Sequence, residues 1–294
     1  MTQRAKEMFD KFICQYCYTL QGEGINTGTP VFLVRFNGCP FNCEFCDTKY
    51  SWSDVPEKLS DREIKDIAHR LLDLYHETCY KHKDGRDYSI AFYVPFLITG
   101  GEPLYGVSKR AILARLMTIA SGSPFLIETS TLNAFAEFIN KEGTTISNLH
   151  TRLFVTWCPK LDNELNRAEV YRFVAKVNRA KQYHSSLAYL REIKILSHYI
   201  DEKYSCELDI IGSLVTQVIR TYGNPIALTI QPLTTFDKDG NNDAKQKLVE
   251  YATNTKLVDL IERLVRWMDI EGLIASGYVT VRLSPRLHLL CGFD

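Results

Sequence analysis

Short apolar runs recur along this chain between amphipathic stretches, and polar residues often close them. A run too short for a helix and apolar at successive positions suits a strand buried on both faces, as in a parallel sheet. Such runs lie at 31–36, 95–99, 125–129, 153–156, 192–196, 227–231 and 279–283. Between the first two, the period becomes helical: Ile64, Ile67, Ala68, Leu71, Leu72 and Tyr75 share a face, and Ser60 with Glu63 forms a capping box. Further helices are expected over 109–121, 132–141, 163–182, 207–222 and 243–268. This alternation of strand and helix predicts an α/β fold, a partial or modified (β/α) barrel. Barrels of this kind gather their chemistry where the strands end. Arg35, residues 99–102, 128–131 and 156–160, Lys194 and Gln231 all fall at or just past such ends.

With 294 residues and 45% apolar content, the chain can bury one enlarged core. We expect a single domain over 1–294 with an insertion around 76–94, where a long charged segment interrupts the pattern. Lys plus Arg and Asp plus Glu balance at 35 each, so no overall field draws the protein to nucleic acid or anionic lipid. No apolar run approaches the roughly 20 residues of a membrane-spanning helix, and residues 1–11 lack the apolar centre of a secretory signal. The expectation is a soluble, cytoplasmic protein that contacts neither membrane nor nucleic acid directly. The nine cysteines are an odd number in a long chain without an export signal, which favours metal binding over disulfides.

Three of those cysteines, Cys39, Cys43 and Cys46, are spaced C-x3-C-x2-C in a loop of small and polar residues. Three thiolates can hold a [4Fe-4S] cluster and leave one iron open to a further ligand. The alternative is zinc, which takes four Cys or His ligands and could recruit the Cys14–Cys17 pair. That pair sits in an aromatic run, where free cysteine packs as a small hydrophobe. A second string, Thr99-Gly100-Gly101-Glu102-Pro103, follows the next strand. Its glycines let backbone approach a ligand closely, and Glu102 offers a carboxylate to an ammonium group. Alone, the string reads more readily as an ordinary turn.

The two strings in this order resemble the signature of the radical S-adenosylmethionine superfamily. Within it, Leu20-Gln21-Gly22-Glu23-Gly24, Gly28-Thr29-Pro30, Arg35 and Cys46-Asp47-Thr48-Lys49-Tyr50 resemble the 7-carboxy-7-deazaguanine synthases. The likeness also touches Cys158-Pro159-Lys160, Glu192-Ile193-Lys194, Gln231-Pro232-Leu233 and 282–288. It implies a radical S-adenosylmethionine type of barrel and a lyase. The reaction is a Mg²⁺-dependent ring contraction of 6-carboxy-5,6,7,8-tetrahydropterin to 7-carboxy-7-deazaguanine, with loss of ammonia, in deazapurine biosynthesis of the queuosine kind.

By that resemblance, Cys39, Cys43 and Cys46 hold the cluster and Thr48 binds Mg²⁺. Leu20, Gln21, Gly22, Arg35, Thr99 and His288 meet the pterin. Phe45, Asp47, Gly101, Glu102, Cys158, Pro159, Lys160 and Gln231 line the S-adenosylmethionine site. The chemistry suits these roles, since a guanidinium fork matches a carboxylate and a neutral hydroxyl suits hard Mg²⁺. Blander readings stay open: a surface ion pair for Arg35, a hairpin for 21–24, a self-bonded loop hydroxyl for Thr48, and packing for Gln231 and His288. Cys158 stands where the family usually has serine. The resemblance also implies an external electron donor, such as flavodoxin or ferredoxin, and a homodimer. Two rival functions remain, another radical enzyme such as a glycyl-radical activase, and a non-catalytic zinc-binding module.

Overall fold

The computed structural model describes residues 3–41, 43–55, 58–79, 94–146, 152–179, 184–235, 243–253, 256–287 and 290. Its strands are β1 (Ile13–Leu20), β2 (Pro30–Phe36), β3 (Phe96–Gly100), β4 (Phe125–Thr129), β5 (Leu153–Trp157), β6 (Leu190–Leu196), β7 (Ile226–Gln231) and β8 (Val279–Leu283). Among the described residues they form one eight-stranded sheet in sequence order. Every neighbouring pair is parallel except β1 and β2, which run antiparallel. β1 and β8 do not pair, so the sheet stays open, as a partial barrel does.

The helices are α1 (Gln3–Phe12), α2 (Asp61–Cys79), α3 (Val107–Ile119), α4 (Leu132–Ile146), α5 (Glu164–Arg179), α6 (His184–Leu187), α7 (Ser205–Tyr222), α8 (Ala244–Thr253), α9 (Lys256–Met268) and α10 (Glu271–Ala275). The capping box at the start of α2 forms as the sequence implied. The Ser60 amide donates to Glu63 Oε2 over 2.9 Å, and the Glu63 amide donates back to Ser60 Oγ over 3.3 Å. Among the described residues, no helix is long and apolar enough to cross a membrane.

Strand side chains alternate between faces, and each face is buried differently. Phe32, Val34, Phe36, Phe96, Ile98, Phe125 and Ile127 enter the main core with Ile67, Leu71 and Tyr75 of α2. The alternate residues Val31, Leu33, Leu97 and Leu126 form a second cluster, against which Cys17 and Phe154 pack. Burial on both sides explains why these segments read as unbroken apolar runs. Further along the same inner face, polar side chains take over.

Two sequence expectations need amendment. The segment carrying Cys14 and Cys17, for which no strand was expected, is an edge strand, β1, in which both thiols are half-buried and Cys17 packs against the second cluster. Its alternation of half-buried and exposed residues follows from having a partner on one side only. The helix expected over 243–268 is described as α8 and α9. Of the expected insertion at 76–94, residues 80–93 lie outside the described residues, as does His288.

Two hydrogen bonds bridge the open side of the sheet at its functional end. The Gly24 amide donates to Ser284 Oγ over 2.7 Å, and the Leu287 amide donates to the Gly22 carbonyl over 2.8 Å. They tie the loop after β1 to the segment after β8.

Candidate active site

The cysteine loop leaves the end of β2, and the Gly-Gly-Glu-Pro turn leaves the end of the adjacent β3. The two lie so close that only glycine fits between them. Gly100 has φ +110°, and a Cβ there would come within 2.5 Å of the Phe36 nitrogen. A Cβ on Gly101 would come within 2.5 Å of the Gly38 carbonyl oxygen. This close approach lets the Gly101 amide donate to Phe36 O over 2.7 Å and the Glu102 amide donate to Gly38 O over 3.0 Å. The glycines expected to admit a ligand therefore also join the two loops.

These loops open onto a cavity of about 210 Å³ at the C-terminal ends of the strands. Cys39, Cys43, Cys46 and Thr48 line it from one side, with Phe45 and Asp47 between them. Gly101, Glu102, Cys158, Pro159, Lys160 and Gln231 form further walls. Leu20, Gln21, Gly22, Arg35 and Thr99 complete it. Of the residues expected from sequence, every described one is thus brought to a single cavity. Cys14 and Cys17 are not among its lining residues, and the Cys14 thiol instead donates to the Arg35 carbonyl over 3.4 Å.

Burial raises the pKa of two of the loop thiols, Cys39 to about 11 and Cys43 to about 12. Lys160 opposes the shift at both. Its ammonium also lies 5.7 Å from the centre of the Phe45 ring. Among the described residues, no three His, Cys, Asp or Glu side chains converge as a site for a single metal ion. A cluster that takes one thiolate per iron does not require such convergence. Three soft sulfur donors around one cavity are the donor set that iron–sulfur clusters use, so these residues fit such a group.

Glu102 is 1% exposed, and burial raises its pKa against the pull of its partners. Its carboxylate accepts hydrogen bonds from Thr129 Oγ1 at 2.6 Å, the Ser130 amide at 2.8 Å and the Leu104 amide at 3.2 Å. A carboxylate has about four acceptor positions, so one stays free for a ligand. Thr48 begins a short turn at Lys49–Trp52 but makes no side-chain cap there. Its hydroxyl lies 3.5 Å from Cys46 Sγ. Arg35 pairs in register with Thr99 and donates from Nη1 to the Tyr50 hydroxyl. Arg35 Nε and Gln231 Nε2 are buried without a hydrogen-bond partner. Buried donors left open in this way at a cavity wall are positioned for a ligand's acceptors.

Glu128 was expected only as a strand-end polar group, and Lys194 as one that also falls in a stretch of family likeness, yet together they centre a charge cluster in the cavity. Lys194 Nζ lies 2.8 Å from Glu128 Oε1 and 2.9 Å from Glu23 Oε2. Burial disfavours the lysine charge, but Cys158, Glu128, Glu23 and Glu192 outweigh it and hold the pKa well above its usual value. Gln21 Nε2 donates to Glu128 over 2.9 Å, and Thr99 Oγ1 donates to the other Glu128 oxygen over 3.3 Å. Arg286 lies 2.9 Å from Asp47 Oδ2, and its Nε lies 3.1 Å from Glu23 Oε1 without being aimed at it. Asn166, missed from the sequence, approaches Cys43 Sγ at 4.0 Å and donates to Asp162 Oδ1 over 2.6 Å. Apart from the local Asp162–Asn166 pair, only the fold places such residues together.

No protein-family model matches the chain. A 7-carboxy-7-deazaguanine synthase of Escherichia coli K12 is 29% identical over 189 residues, covering 62% of this chain and 74% of the relative. The enzyme of that name from Pyrobaculum aerophilum is 65% identical over 86 residues, 29% of this chain and 31% of its own. The one from Haemophilus influenzae is 27% identical over 180 residues, 57% of this chain and 71% of its own. The crystal structure of QueE from Escherichia coli aligns over 97% of this chain and 98% of its own, at 20% identity and a TM-score of 0.45. In sequence, the chain resembles curated 7-carboxy-7-deazaguanine synthases.

Proposed function

We propose that this chain is a 7-carboxy-7-deazaguanine synthase. It would be a radical S-adenosylmethionine lyase that contracts 6-carboxy-5,6,7,8-tetrahydropterin to 7-carboxy-7-deazaguanine with loss of ammonia. One observation carries the reading most directly: the cysteine loop, the Gly-Gly-Glu-Pro turn and Leu20, Gln21, Gly22, Arg35 and Thr99, the described residues expected to bind the pterin, meet at one cavity. The named relatives support the same reaction.

In this account, Cys39, Cys43 and Cys46 would hold a [4Fe-4S] cluster beside bound S-adenosylmethionine. Together, once reduced by an external donor, these groups would supply the radical chemistry that takes hydrogen from C6 of the pterin. The chain's own part is to bind, orient and exclude water. Gly101 and Glu102 would face the methionyl end of the cofactor, Phe45 and Asp47 its adenosyl group, Cys158, Pro159 and Lys160 would form another wall, and Gln231 would meet it from the far side with its free amide hydrogens. Arg35 pairs with the substrate carboxylate through its fork of donors. Leu20, Gln21, Gly22 and Thr99 read the pterin edge, joined by His288. Thr48, whose hydroxyl makes no cap and lies against Cys46 Sγ, would be the protein's ligand to Mg²⁺, a hard ion that a neutral hydroxyl suits. The rest of the proposal is a single domain with an inserted 76–94 segment, acting as a homodimer and reduced by a flavodoxin or ferredoxin.

Anaerobic reconstitution with iron and sulfide tests the cofactor assignment. The expected protein holds about four irons per chain and cleaves S-adenosylmethionine to methionine and 5'-deoxyadenosine. Zinc without iron would reject the assignment. Thr48→Ala is expected to keep the cluster but lose Mg²⁺ dependence of turnover, and unchanged dependence would remove Thr48 as the ligand.

A further inference from the structure

Lys109, on the first turns of α3, is 1% exposed. Its ammonium lies 3.0 Å from Asn37 O, 2.6 Å from Gly38 O and 2.7 Å from Glu102 O. An ammonium has three donors, so each is spent on a backbone carbonyl. Two of those carbonyls immediately precede Cys39, and the third belongs to the Gly-Gly-Glu-Pro turn. A lysine buried this deeply carries a large desolvation cost, which several charge-assisted hydrogen bonds can offset. The loops also meet through Gly101 N to Phe36 O and Glu102 N to Gly38 O. Lys109 is the side chain that draws those backbones together, and sequence reading gave it no role.

We propose that Lys109 is a positioning residue that clasps the cluster-binding loop to the cofactor-binding turn and so fixes the cysteine thiols relative to the S-adenosylmethionine site. This inference rests on the proposed function above. It assigns Lys109 no contact with substrate or cofactor, and its effect passes through Gly38 and Glu102.

The test uses the full chain with Lys109→Met, which keeps length but has no donor, and Lys109→Gln, which keeps two N–H donors. Ile112→Ala, one turn on along the same helix, gives a core lesion that removes none of the three Lys109 hydrogen bonds. Hydrogen exchange in cluster-free protein reads the amides of Gly101 and Glu102. Iron uptake and the Kd for S-adenosylmethionine read the consequence. In Lys109→Met, exchange at these two amides is expected to rise about tenfold and the Kd to weaken about tenfold, the scale of one lost hydrogen bond to a charged group. Lys109→Gln is expected to fall between this and wild type, and it replaces Lys109→Met if that variant does not fold. Ile112→Ala is expected to lower the thermal midpoint while keeping wild-type exchange at Gly101 and Glu102 and a wild-type Kd. Unchanged exchange or an unchanged Kd in Lys109→Met would overturn the proposal, as would equal effects from Ile112→Ala. Wild-type protein that takes up no iron would remove the proposed function and this residue's part in it. Amide exchange would then still score the clasp, because it needs neither cluster nor cofactor.

Discussion

Lys194 has 4% of its side chain exposed and lies between two carboxylates that are 15% and 17% exposed. Removing one member of a buried charge cluster leaves the others unpaired, at a cost of about 3–5 kcal/mol. Lys194→Met should therefore lose roughly that much stability in chemical denaturation, because Glu128 then loses the lysine 2.8 Å away and Glu23 loses one of its two cations, keeping Arg286. A loss below about 1 kcal/mol, the scale of an exposed pair, would contradict this account of the cluster. The contrast with the cysteines shows which residues a sequence reveals. Cys39, Cys43 and Cys46 are legible because a cluster needs its ligands on one short loop, so their chemistry is written as spacing. Lys194 meets a residue on β4 and another beyond β1, and Lys109 meets two separate loops. Such partners share no spacing, so they stay hidden until the strands are laid side by side.

At the scale of the element, α2 shows how a local signal survives into the fold. The Glu63 carboxyl is held down to about 2, first by the Ser60 hydroxyl, then by the Ser60 amide and Arg4, against 4.5 for an ordinary glutamate. Because the folded value is the lower one, the interaction stabilises fully above about pH 4.5 and fades as pH falls toward 2. Glu63→Ala should cost about 1 kcal/mol near neutrality, as lost caps do, and the gap from wild type should narrow on acidification. Denaturation midpoints measured from pH 6 downward check this, and a gap that ignores pH would refute it. The parallel strands were equally readable, with β4 and β8 beginning and ending where their apolar runs do. α1 and β1 were not. β1 pairs on one side only and alternates aromatic with polar residues, so it offers no continuous apolar run to detect.

For the whole molecule, the decisive feature is an open sheet whose ends are joined across the cavity. Glu192 accepts from the Ile25 amide over 3.0 Å and from Thr156 Oγ1 over 3.0 Å, and a Cβ on Gly24 would strike its carboxylate at 2.5 Å. The loop after β1 is thereby wedged into the strand ends, with Ser284 holding Gly24 from the other edge. Ser284 is 1% exposed, so Ser284→Ala leaves the Gly24 amide buried and unpaired, at a cost of about 1–3 kcal/mol. Faster hydrogen exchange at Gly24 and Ile25 should accompany that loss, and wild-type protection there would show that the bridge does not hold the loop. The same wedge places Gln21 beside Glu128, so the arrangement of the mouth and the proposed pterin contacts depend on one closure. The most direct test of the central claim is an anaerobic assay with reconstituted cluster, reductant, Mg²⁺, S-adenosylmethionine and 6-carboxy-5,6,7,8-tetrahydropterin, following products by mass. The account predicts 7-carboxy-7-deazaguanine from the wild-type chain and none from Cys43→Ala. Cleavage of S-adenosylmethionine with no deazapurine formed would contradict it.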